Sequence, residues 1–185
     1  MARRRRTQVL VAVGILALAG VVGFLALNAD RRDCPGHWHA TFAVYIDDER
    51  LPFPQPPYSM DREGGEMPMS LHMHRPNQEL LHFEPSSPRC VGVGPALRSI
   101  DVRLEPGELR LEGAHSAGPM GGTYRDDGNR TLRVFIEGDE GLQERPVRDV
   151  LGYQLRDGEK LLVAYGSYTQ DEVEDLMDRI GEPSG

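Results

Sequence analysis

The strongest constraint on this chain is an unbroken apolar run near its start, Val9 to Leu27, 19 residues with the glycines counted, preceded by four consecutive arginines, Arg3 to Arg6. As a helix rising 1.5 Å per residue it is roughly 28 Å long, which matches the ~30 Å hydrocarbon core of a bilayer. The arginines hold to the cytoplasmic side, so everything after the run is expected outside the cell membrane. This divides the chain into a cytoplasmic Arg-rich tail (1–8), a transmembrane helix or signal anchor (9–28) and an extracytoplasmic domain (33–185). A signal peptide cut near Ala29 is the competing reading. The residues before that cut, Leu27-Asn28-Ala29, do not fit the small-x-small pattern of such sites, so a single-pass anchor that stays attached is the expectation.

Charge separates along the same boundary. The formal net charge is −8, yet residues 1–32 carry +5, which leaves the remainder at −13 with 15 Lys and Arg against 28 Asp and Glu. A body this acidic lacks the basic face that neutralises phosphates, so nucleic acid is not an expected partner. The only two cysteines, Cys34 and Cys90, both follow the apolar run. In an oxidising compartment a disulfide is the expected use, worth about 4 kcal/mol in the chain-entropy account. The alternative, thiolate metal ligands, lacks the support of a CxxC pair.

Period-2 patterning dominates after residue 33. Ala40, Phe42, Val44 and Ile46 alternate with Thr41, Ala43, Tyr45 and Asp47, the signature of a half-buried strand over 39–47. Pro52, Pro54, Pro56 and Pro57 then predict an extended loop. Short strands follow at 71–74 and 80–84. Those at 99–104 and 109–112 flank the turn Glu105-Pro106-Gly107-Glu108, and two more lie at 131–137 and 161–165. The glycine-rich stretch 113–130 reads as a surface loop. One helix is predicted at the end. Thr169 and Glu172 have capping-box spacing, Val173, Leu176, Met177 and Ile180 form an apolar stripe, and Gly181 stops it. The fold class is therefore mainly β, a β-sandwich or β-grasp-like sheet, with one C-terminal α-helix. The pattern from Thr131 to Tyr165 resembles the second half of a β-grasp unit.

Five of the six histidines fall between residues 37 and 82: His37-Trp38-His39, His72-Met73-His74 and His82. On a strand, positions i and i+2 share a face. Trp38 continues the core-facing set of Ala40 and Phe42, which leaves His37 and His39 opposite. Leu71 and Met73 oppose His72 and His74, and Leu81 and Phe83 oppose His82 and Glu84. If the three strands are neighbours, five imidazoles and a carboxylate gather on one sheet surface. Imidazole suits Cu(II) and Zn(II), so His37, His39, His72, His74, His82 and Glu84 are the expected metal ligands. A polar sheet edge with no metal is the plainer use of such residues. Met67, Met69 and Met73 share the core parity and read as packing rather than as thioether ligands. His115 reads as a loop residue or a lid ligand.

The arrangement "HWHATFAVYIDDE…LHMHRPNQELLHFEP", followed by "LRVFIEG" and "DGEKLLVAYG", resembles a group of uncharacterised, membrane-anchored extracytoplasmic bacterial and archaeal proteins. That resemblance covers most of the body and implies a similar placement and strand set, with no established activity. His72-x-His74 with Glu79 is similar to the first cupin metal motif, whereas no histidine follows Gly118-Pro119-Met120-Gly121 to supply the second. No nucleophile elbow, phosphate-binding glycine loop or HExxH is present. The expected function is a tethered domain that captures, delivers or senses Cu or Zn. The alternatives are a metal-dependent, cupin-like enzyme using Glu79 or Glu84, and a scaffold that docks on an envelope protein partner.

Overall fold

The computed structural model describes residues 38–53, 71–73, 80–83 and 91–180. All of them fall within one unit, Pro35–Gly185. The expected anchor (9–28), His37, His74, Glu79, Glu84, Cys34, Cys90, Met67 and Met69 lie outside the described residues. Within them, no helix is long and apolar enough to cross a membrane.

The described chain is mainly β, with two sheets and a few helices. Its strands are β1 (Trp38–Ile46), β2 (Glu49–Arg50), β3 (Leu71–Met73), β4 (Leu80–Phe83), β5 (Val102–Glu105), β6 (Glu108–Leu111), β7 (Gly122–Arg125), β8 (Thr131–Gly138), β9 (Gly141–Glu144) and β10 (Lys160–Gly166). Helix α1 (Val93–Ser99) precedes β5, α2 (Val147–Val150) follows β9, and α3 (Gln170–Asp178) follows β10. The larger sheet runs β3-β4-β1-β10-β8-β9, with β2 paired to the far end of β1, and the smaller runs β5-β6-β7. β1 and β10 lie parallel at the centre, from Thr41 opposite Lys160 to Ile46 opposite Tyr165, while β8 runs antiparallel to β10.

Three layers result. Ala40, Phe42, Val44 and Ile46 join Leu161, Val163 and Tyr165, and Leu132, Val134 and Ile136, in one core. The small sheet closes that core with Val102, Leu104, Leu109 and Leu111, helped by α1 and α2. On the opposite face Ala43, Tyr45, Phe135, Leu162 and Ala164 meet Val173, Leu176, Met177 and Ile180 of the C-terminal helix. β1 is therefore not the half-buried strand its alternation predicts: Ala43 and Tyr45 are 1% and 4% exposed. Helix α3 covers the face that solvent was expected to wet. The helix itself starts as expected. Thr169 accepts from the Glu172 amide, and the Glu172 carboxylate accepts in return from the Thr169 amide at 2.7 Å.

Two other segments depart from expectation. Residues 99–104 do not form one strand, because Val93–Ser99 is helical and β5 begins only at Val102. Pro95 is tolerated because it lies in the first turn, where an N–H has no intrahelical partner. Asp101, at φ 62°, reverses the chain between the two elements. The stretch 113–130 is not a loop throughout: Gly113–Ala117 is a 3₁₀ turn and β7 extends the small sheet. Its glycines serve geometry instead, since a Cβ on Gly121 would stand 2.5 Å from the His115 and Ser116 carbonyl oxygens. His115 is accordingly no exposed loop residue. It is 4% exposed, with its ring edge-on to Phe53 at 5.0 Å. The Pro106-Gly107 turn forms as expected, with Gly107 at φ 74°.

Three consequences can be measured. Leu162, fully buried between β10 and α3, should cost about 2–5 kcal/mol when replaced by alanine, and Thr169→Ala about 1 kcal/mol, both read from urea unfolding curves. Burial lowers the His115 pKa below its ordinary 6.5, while the Ile100 carbonyl and the Asp101 charge oppose the shift. The unfolded chain therefore takes up this proton before the folded one. The stability that His115 contributes is complete above about pH 6.5 and is lost as pH falls below it. Unfolding midpoints measured from about pH 7.5 to about pH 5 should fall less steeply in His115→Gln than in the native chain.

Candidate metal centre

The three histidine-bearing strands are neighbours, and their register is informative. His39 of β1 is the Cα partner of His82 in β4, and His82 is the Cα partner of His72 in β3. One row across three adjacent strands thus carries three histidines. The rows beside it are apolar: Trp38, Phe83 and Leu71 on one side, Ala40, Leu81 and Met73 on the other. Ala40 is 1% exposed in the core beneath the small sheet, so period 2 sets His39 on the opposite face. That is the face covered by α3 further along, at Ala43 and Tyr45. Coverage has ended by His39, whose side chain is 40% exposed.

Backbone bonding fixes the spacing of the row. The His39 amide donates to Asp157 Oδ1 at 2.8 Å, and its carbonyl accepts from the Gly158 amide at 2.8 Å. Both groups thus point toward the β10 side. His39 and His82 must then be a non-hydrogen-bonded pair, with Cα atoms about 4.5 Å apart, and His82 and His72 a hydrogen-bonded pair at about 5.5 Å. The row therefore spans roughly 10 Å between the outer Cα atoms.

Asp157 was not singled out by the sequence, where Asp157-Gly158 reads only as the turn into β10. Its carboxylate stands 3.9 Å from His39 Nδ1 and is 72% exposed. Beside it lies a cavity of about 370 Å³ lined by Glu137, Asp139, Asp157 and Glu159 together with Arg156 and three glycines. Glu159 is 7% exposed and structural, because its carboxylate accepts from the Tyr153 hydroxyl at 2.7 Å and the Arg156 amide at 2.8 Å. Lys160 Nζ holds Glu137 at 2.8 Å.

The structure therefore aligns His39, His72 and His82 by register. The other expected ligands, His37, His74 and Glu84, and the expected Cys34–Cys90 bridge lie outside the described residues. His115, buried against Phe53, is not a lid ligand. Among the described residues, no group of three or more His, Cys, Asp or Glu side chains is already gathered around a single point. Compared with known proteins, the chain matches no family model, no curated protein and no solved structure.

The register has a direct signature. Non-hydrogen-bonded partners bring their Hα atoms together, so isotope-labelled protein should give a strong Hα–Hα cross-peak between His39 and His82. A cross-peak from His39 to Leu81 or Phe83 instead would mean a slipped register and a dispersed row.

Proposed function

We propose that this protein binds a transition-metal ion, Cu(II) or Zn(II), through the histidine row of its larger sheet, as a membrane-anchored extracytoplasmic module for metal capture, delivery or sensing. The observation that carries this reading is the continuous register His72–His82–His39, which needs three strands to agree at one level. His37, His74 and Glu84 belong to the same proposal. The −13 body supports it by raising the local cation concentration. The Val9–Leu27 run would hold the module at the membrane, and the resemblance to anchored extracytoplasmic proteins points the same way. We also infer a β-grasp-like frame, because the first and last strands of the sheet pair in parallel at its centre.

A metal-dependent enzyme is the second reading, favoured by the cavity beside Asp157. It requires an open coordination position, which a closed carrier site lacks.

Calorimetric titration of the tag-free chain in detergent should give one saturable site for Cu(II) or Zn(II), tighter than roughly micromolar. His39→Gln with His82→Gln should abolish it. Imidazole must be neutral to coordinate, so affinity should fall as pH is lowered through about 6.5. Heats indistinguishable from dilution at neutral pH would reject the reading.

A further inference from the structure

We infer that Asn129 is a glycosylation site, its side-chain amide accepting an oligosaccharide outside the cell membrane. The inference is independent of metal binding and rests only on the extracytoplasmic placement of the body. The chain has three asparagines, Asn28, Asn77 and Asn129, and only the last opens the acceptor pattern Asn-x-Ser/Thr, as Asn129-Arg130-Thr131. That pattern works only on a surface segment, and the fold provides one. Asn129 lies in the connection between β7 and β8, where every residue from Arg125 to Thr131 is exposed.

The connection is held by the neighbours of Asn129 rather than by its side chain. The Asp127 amide donates to the Arg130 carbonyl at 3.2 Å, and Asp127 Oδ1 accepts the Asn129 and Arg130 amides at 3.1 and 2.9 Å. Gly128 takes the φ of 85° that the reversal needs. Arg130 turns back onto the protein, with Nη2 donating to Asp127 Oδ2 at 2.8 Å and the guanidinium 5.5 Å from the Tyr165 ring centre. Among the described residues, no group engages the Asn129 side-chain amide, whose residue bonds only through its backbone N–H. The site also stands clear of His39. Thr131 pairs with Gly166 at the end of β10, whereas His39 bonds to the turn before Lys160. The strand from Thr131 to Glu137, the partner of Lys160, is about 20 Å long. A bulky, solvated glycan at the turn leaves His39 open.

An amide nitrogen is a poor nucleophile because its lone pair is delocalised into the carbonyl, so the step needs a transferase and an activated donor. The donor class is an oligosaccharide linked to lipid pyrophosphate in the same membrane. The Asn129 nitrogen forms a bond to the anomeric carbon of the first sugar, and the bond from that carbon to the pyrophosphate oxygen breaks. Lipid pyrophosphate leaves with the electron pair, and the nitrogen gives up one proton to a base. No oxidant or reductant takes part.

The test is mass spectrometry of proteolytic fragments from the full chain purified out of its native membrane. The fragment containing Asn129 should exceed its sequence mass by a set of sugar residues. Asn129→Gln and Thr131→Ala should each remove the increment completely, and Thr131→Ser, which keeps the hydroxyl, should retain it. Protease added to right-side-out vesicles reports separately on which side the body lies. A body that is digested there while its Asn129 fragment stays at sequence mass would overturn the inference and leave the placement standing. A protected, unmodified body would overturn both. An increment that survives Thr131→Ala would overturn the acceptor pattern as its cause.

Discussion

The parallel pairing of β1 with β10 is the contact on which the rest depends. It joins segments more than a hundred residues apart and puts two apolar strands at the centre of the larger sheet. Because the pair is central, both faces must be covered. The small sheet with α1 and α2 covers one face, and α3 covers the other. Leu161, Leu162, Val163 and Ala164 are all fully buried, which is why residues 161–165 read as a continuous apolar run rather than an alternation. The same pairing directs the odd-numbered backbone groups of β1 toward β10, as in Thr41 N–H to the Glu159 carbonyl and Asp47 N–H to the Tyr165 carbonyl.

That directionality reaches the candidate site. With the His39 amide and carbonyl committed to the turn before β10, the β1–β4 ladder places His39 against His82 in the closer kind of pair. Coverage by α3 then decides accessibility. The helix packs over Ala43 and Tyr45, and at His39 the same face is open. His39 is thus held by a fixed strand at the point where that face becomes reachable. Fixed strands hold ligands better than loops do.

Much of this was legible in the sequence, and the exceptions have physical causes. The capping box at Thr169 and Glu172, the Pro106-Gly107 turn and the opposite parity of His39 and Ala40 are local signals that survived folding. The burial of Tyr45 was not legible, because which helix covers a polar-looking face is a tertiary matter. The helix Val93–Ser99 was not anticipated, because a seven-residue segment containing Gly94 and Pro95 carries little helical signal of its own. The glycines of 113–130 concealed β7 by reading as flexibility, where Gly113, at φ 53°, takes a backbone conformation that side chains disfavour. Asp157 escaped notice because its relation to His39 exists only through a parallel pairing across 118 positions of sequence, and no local pattern records that.

The central claim is that His39, His72 and His82 act as one ligand set. Its most direct test is ¹⁵N-imidazole NMR of the full chain during Zn(II) titration. The account predicts that these three side chains shift together and saturate at about one equivalent of metal, while His115, packed against Phe53, stays in place. Independent, unsaturating shifts of the three, or no shift in any of them, would contradict it.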